Sequence, residues 1–146
     1  MSFKYEITAT IVLHHENLVI LQKTVDSFLK IPLNKKLFLV DNSATRSLQN
    51  FFIHKEIEYI FPGKNIGFGK GHNFVLEKLN SKYHLLLNPD IEFTATIIPI
   101  LINQLEKDKD VAFVSDNRTT WFDRALRFFE SGKNRLFGSL RGKDTC

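Results

Sequence analysis

Cysteine is all but missing from this 146-residue chain; the one present, Cys146, is the last residue. No internal disulfide can form, which fits a reducing cytoplasm. No apolar run approaches the ~20 residues that a membrane-spanning helix needs, so no integral membrane protein is expected. Met1-Ser2-Phe3-Lys4-Tyr5-Glu6 carries no basic region followed by a long apolar stretch, so no secretory leader is expected either. Internal repeats and low-complexity segments are also lacking. What remains is ordinary globular composition, 43% hydrophobic and 25% charged, at a length suited to one domain.

Arginine is scarce too, until the end. Only Arg46 precedes residue 117, whereas Arg118, Arg124, Arg127, Arg135 and Arg141 follow it, with Lys133 and Lys143. Against Asp123, Glu130 and Asp144 these seven cations account for the whole net charge of +4. Residues 1–116 are neutral and use lysine. The chain therefore divides into a body, 1–116, and a basic aromatic tail, 117–146, a sign asymmetry that suits anionic partners or merely a solvated face. Trp121, Phe122, Leu126, Phe128 and Phe129 bunch around Arg124 and Arg127, which predicts a basic helix ending near Glu130. Such a helix suits a peripheral contact with anionic membrane, and aromatics covering a sheet edge suit the same pattern. No nucleic-acid module matches the tail and the body is neutral, so nucleic acid is not an expected partner.

Apolar runs alternate with helical patterns along the body. Ile7–Leu13, Leu37–Val40, Ile57–Phe61, Tyr83–Leu87 and Val111–Val114 read as buried strands. Asn17 offers a cap for a helix over Leu18–Lys30. A weaker helix is expected from Thr45 to His54, another after the glycines around Phe74, Leu76 and Leu79, and a third over Ala95–Lys107 with Pro99 in its first turn. Strands separated by helical stretches of this length imply βαβ units and a mostly parallel α/β sheet.

Ligands of open α/β sheets bind beyond the carboxyl ends of the strands, and three polar clusters fall at such ends. Asp41-Asn42-Ser43 follows the second strand; an acid there accepts hydrogen bonds from a base or ribose, or else caps a turn. Gly67-Phe68-Gly69-Lys70-Gly71-His72-Asn73 permits close backbone approach to a ligand, or else is a flexible turn. It is neither a P-loop nor a dinucleotide fingerprint. Asn88-Pro89-Asp90 follows Leu85-Leu86-Leu87. A carboxylate on a stiff proline turn suits a hard cation that bridges to phosphate, or else caps the next helix.

In this order and spacing the three clusters resemble the inverting glycosyltransferases of family 2, with the GT-A fold, and most closely their rhamnosyltransferase-like branch. The matching runs are Val40-Asp41-Asn42-Ser43, Asn65-Ile66-Gly67-Phe68-Gly69-Lys70-Gly71-His72-Asn73 and Leu85-Leu86-Leu87-Asn88-Pro89-Asp90. The resemblance implies a GT-A-like, Rossmann-type three-layer sandwich. It implies a nucleoside diphosphate sugar donor, with Asp41 at the base and Asn42, Asn65, Gly67, Gly69 and Asn73 along the nucleotide sugar. Asn88 would contact ribose or metal-bound water, and Asp90 would ligate Mg²⁺ or Mn²⁺ on the diphosphate. The acceptor implied is a lipid-linked glycan or polysaccharide, at the inner face of the cell membrane.

Two features depart from that pattern. The first strand ends His14-His15-Glu16-Asn17 where the family usually has Thr-Tyr-Asn; with the strand's alternation, one histidine is expected at the nucleotide mouth and the other on the opposite face. Only 56 residues follow Asp90, and the acceptor-side half that carries the general base in this family looks shortened. Asp116 and Asp123 are the nearest acids, and both suit a surface or cap position. A catalytically silent nucleotide-sugar-binding module is therefore the alternative to an active transferase.

Overall fold

A computed structural model describes residues 2–107, 113–115 and 127–130, the last two stretches as strand paths only. Six strands form one sheet: β1 (Tyr5–Leu13), β2 (Lys35–Asp41), β3 (Ile57–Ile60), β4 (Ser81–Leu87), β5 (Phe113–Ser115) and β6 (Arg127–Glu130). Their order is β3-β2-β1-β4-β6-β5. The first four neighbours are parallel, with Ile7 opposite Lys35 and Tyr83, and Leu37 opposite Ile57. β6 runs antiparallel to both β4 and β5.

β1 is central and its residues from Ile7 to Leu13 are all buried. Ile7, Ala9, Ile11 and Leu13 face the main core, where they meet Leu37 and Leu39 of β2 and Leu85 and Leu87 of β4. Two helices close this face. In α1 (Leu18–Leu29), Leu21, Val25 and Phe28 recur at helical spacing and pack inward; the Asn17 side chain accepts from the N–H groups of Val19 and Ile20 and so starts the helix. In α3 (Ile97–Lys107), Ile97, Ile98, Leu101 and Leu105 do the same, and Pro99 is accommodated in the first turn, where its missing N–H has no partner to lose. A short helix, α2 (Phe68–Asn73), lies on the opposite face against Val12 of β1, beside a second apolar cluster of Val12, Phe38, Val40 and Val75. The result is the expected three-layer sandwich with a mostly parallel sheet.

Three expectations need correction. The stretch Thr45–His54 forms only a 3₁₀ turn at Gln49–Phe51, because two core contacts, Leu48 and Phe52, hold it without a continuous apolar stripe. The helix foreseen after the glycines begins among them, at Phe68, and only a 3₁₀ turn at Leu76–Lys78 follows. Residues 127–130, expected as the end of a basic helix, are strand β6; its Phe128 and Phe129 suit a pleated surface, and pairing covers an otherwise open β4 edge. Residues 117–126 and 131–146 lie outside the described residues, as do Asp116 and Asp123.

On the α2 face the sheet buries a polar array. His84 is wholly enclosed; its Nδ1 is 2.7 Å from Thr8 Oγ1 and its Nε2 3.0 Å from Thr10 Oγ1, while Thr8 Oγ1 is also 2.7 Å from Ser81 Oγ. The hydroxyls satisfy a neutral imidazole, and burial, reinforced by nearby His72, pushes the His84 pKa down to about 3. The unfolded chain takes up this proton near pH 6.5 and the folded chain does not, so the contribution is complete above that pH and is lost as pH falls toward 3. Wild type should therefore lose up to about 1.4 kcal/mol per pH unit through this group. His84→Gln should show a shallower decline between pH 6.5 and 3 in urea titrations.

Candidate functional site

The parallel register brings the carboxyl ends of β1, β2, β3 and β4 to one edge. Leu13 is opposite Asp41, Val40 opposite Ile60 and Ile11 opposite Leu87. The chain leaves β1 toward β2 on one side and has β4 on the other, so a crevice opens at this switch in strand order. Three loops converge on it.

Asp41-Asn42-Ser43 forms the first. Asp41 is completely buried; its Oδ1 accepts from Ser43 N at 2.9 Å and its Oδ2 accepts a hydrogen bond from the Tyr59 hydroxyl. Burial and this bond hold the Tyr59 phenol protonated well above its ordinary range. Ser43 Oγ in turn accepts from His15 N at 2.9 Å, which fixes His15 in the left-handed region at φ 57°. The strand has ended at Leu13 and this turn reverses the chain, so the two histidine rings do not point to opposite faces. They are both exposed and meet edge to face at 4.5 Å.

The glycine segment is the second. Asn65 Oδ1 accepts from Gly67 N at 2.8 Å, and Gly67 adopts φ 85°, a conformation that costs a residue with a side chain. Gly67 O accepts from both Gly71 N and Asn42 Nδ2, at 2.9 and 3.2 Å. Asn42 N also donates to Leu13 O, so this one residue ties the glycine turn to the ends of β1 and β2. The bond to Gly67 fixes the amide's orientation. Asn42 Oδ1 is then a buried acceptor with no partner among the described residues, ready for an N–H or O–H donor. Gly69 has open space where a side chain would be. Asn73 ends α2, exposed and roughly 8 Å along the axis from Phe68; the structure does not join it to Asn42.

Asn88-Pro89-Asp90 is the third. Thr24 Oγ1 of α1 donates to Pro89 O at 2.8 Å, and Phe93 N donates to Ser27 Oγ at 3.2 Å, so α1 anchors the turn at both ends. Asn88 is half-buried and Asp90 exposed. Glu16, a residue the sequence reading did not select, approaches them. Burial raises its pKa, the charges of Asp90 and Asp41 raise it further, and a bond from His14 N partly offsets both.

Among the described residues no three His, Cys, Asp or Glu side chains form a ready-made metal cage. The donor set nevertheless fits a hard cation held jointly with phosphate, because Mg²⁺ is usually bound by one or two carboxylates and completes its shell from substrate oxygens. Asp90 would supply such an oxygen, and the charges of Asp90 and Asp41, which both raise the Glu16 pKa, are what a cation would relieve.

A family model described as glycosyl transferase family 2 matches residues 8–141. The chain belongs to this family. A curated relative, the low-salt glycan biosynthesis hexosyltransferase Agl10 of Haloferax volcanii, is 40% identical over 58 residues, which cover 37% of this chain and 19% of Agl10. The crystal structure of S. aureus TarS 1–349 superposes with a TM-score of 0.60 at 14% identity, over 76% of this chain and 34% of TarS 1–349. A CMP:2-keto-3-deoxy-manno-octonic acid synthetase complexed with CTP superposes at 0.58 and 10% identity, over 75% and 51% of the two chains. This family 2 chain thus has the GT-A type of nucleotide-binding fold, and it spans only a fraction of each relative's length.

Tyr59 also escaped the sequence reading; its position opposite Leu39 in β3 shows only once the register is known. Tyr59→Phe should leave Asp41 short of a donor and cost about 1–3 kcal/mol. The stability due to this phenol is complete below pH 10 and lost as pH rises beyond it, so Tyr59→Phe should flatten the alkaline decline seen in denaturant titrations. Gly71 presses on β1, and a Cβ there would lie 2.7 and 2.8 Å from the two Val12 methyls. Gly71→Ala should cost about 1–3 kcal/mol, part of it recovered in the double variant with Val12→Ala.

Proposed function

We propose that this chain binds a nucleoside diphosphate sugar along the carboxyl edge of β1–β4 and acts as an inverting glycosyltransferase. The observation that carries this reading is the convergence of Asn42, Gly67 and Asp90 at the strand-order switch of a family 2 chain. Asn42 Oδ1 receives a donor from the nucleotide. Open backbone at Gly67 and Gly69 lets the sugar–phosphate lie close. Asp41, being enclosed by Tyr59 and Ser43, shapes the base pocket from behind.

Asn88 and Asp90 face the diphosphate. A divalent cation, Mg²⁺ or Mn²⁺, held by Asp90 would supply positive charge to the departing diphosphate oxygens. The site needs that charge, because Glu16, Asp41 and Asp90 would otherwise repel an anionic donor. In the reaction an acceptor hydroxyl oxygen forms a bond to the anomeric carbon from the face opposite the diphosphate. The carbon–oxygen bond to the nucleoside diphosphate breaks, the hydroxyl proton passes to a base, and the configuration inverts.

The donor proposed is a UDP- or dTDP-linked hexose, rhamnose included, and the hexosyltransferase name of the relative supports a hexose. The acceptor proposed is a lipid-linked or polysaccharide glycan at the cytoplasmic face of the membrane. No helix among the described residues is long and apolar enough to cross one. Calorimetric titration of UDP, dTDP and GDP, with and without Mn²⁺, tests the reading. One nucleotide should bind only with Mn²⁺, and Asp90→Ala should weaken it about tenfold or more, ~1.4 kcal/mol. Metal-independent or absent binding to wild type would contradict it.

A further inference from the structure

Arg46, the one arginine of the first 116 residues, takes no part in the chemistry above, yet it lies at the same edge. It follows Asp41 by five residues in an exposed stretch, and its guanidinium lies over the Phe61 ring, 4.9 Å from the centroid. Phe61 is the first residue past β3 and is half-buried. Among the described residues Arg46 makes no ion pair. Its charge is felt at Tyr59, the residue that bonds Asp41. A cation–π contact therefore stands at the outer end of the crevice, beside the Asp41–Tyr59 pair and across the sheet from Asp90.

The geometry points to Arg46 and Phe61 as a stacking plate for the nucleobase of the donor. A planar guanidinium stacked on an aromatic ring keeps its other face free for a second flat group, and arginine is suited to that role where lysine is not. Strand spacing agrees: β3 to β4 is three steps, about 14 Å, which is comparable with the reach of an extended nucleoside diphosphate. With the diphosphate at Asp90 beyond β4, the base falls at the ends of β2 and β3. There Asn42 Oδ1 offers an edge acceptor and Arg46 offers a face. Edge and face contacts together hold a base in one orientation, and through it the ribose and diphosphate.

This inference rests on the nucleotide reading of the site, and the test separates the two. UDP and inorganic pyrophosphate, each with Mn²⁺, are titrated into wild type, Arg46→Ala, Arg46→Lys and Phe61→Leu, whose folding is checked by thermal melting. Base–aromatic stacking is typically lost on alanine substitution at a cost that corresponds to roughly tenfold in affinity. UDP should therefore bind roughly tenfold more weakly to Arg46→Ala and Phe61→Leu, and Arg46→Lys should resemble Arg46→Ala because its charge does not stack. Pyrophosphate, which has no base, should bind all four proteins alike. Equal UDP affinity across the folded variants would overturn the plate while leaving the nucleotide site standing. A parallel loss of UDP and pyrophosphate would also overturn it, by showing that Arg46 acts as a charge on phosphate. Failure of wild type to bind UDP while binding another nucleotide moves the same comparison to that nucleotide, with the same expected losses; failure to bind any would bring down both readings.

Discussion

Parallel pairing of β1 with β2 on one side and β4 on the other is the constraint from which the site follows. A strand buried on both faces must be apolar nearly throughout, and Ile7–Leu13 meets that demand except at Thr8 and Thr10. Those two hydroxyls are matched by His84 and Ser81 on β4, so the polar groups are satisfied where they are buried. The pairing also aligns four carboxyl ends within a residue or two of each other. Loops from distant parts of the sequence are thereby delivered to one crevice.

What holds those loops is a short list of hydrogen bonds rather than bulk packing. Asn42 reaches the glycine turn, Ser43 reaches His15, and Tyr59 reaches Asp41. Thr24 and Ser27 of α1 fix the turn that carries Asp90. Each such bond has a modest net value, about 1 kcal/mol, but together they set the relative positions of the three loops at this edge. At the same edge Glu16 lies within the field of Asp90 and Asp41, and both charges add to burial in raising its pKa.

Much of this was legible in the chain. Every strand of the parallel sheet, the Asn17 cap and the α1 and α3 stripes follow from local pattern, because burial on two faces or one stripe leaves its period in the sequence. The Asp41, Gly67 and Asp90 loops could be placed at strand ends for the same reason. Other features depend on which strand lies beside which. The Tyr59–Asp41 bond joins neighbouring strands, and the Arg46–Phe61 contact joins the segments that follow them, with residues 18 and 15 positions apart. The Phe128–Phe129 segment has helical-looking apolar spacing and becomes strand because β4 needs a neighbour. Gly67–Gly71 looked like open loop, yet the absence of a side chain at Gly71 is what lets α2 lie against Val12.

The central claim is that one ligand occupies the carboxyl edge of β1–β4 from Arg46 and Phe61 to Asp90. Hydrogen–deuterium exchange with and without UDP–Mn²⁺ measures this most directly. Backbone protection should rise at residues 13–17, 41–46, 61–71 and 87–91. The opposite edge, residues 31–36 and the α3 residues 97–107, should exchange unchanged. Protection confined to that opposite edge, or spread evenly through the sheet, would contradict the account.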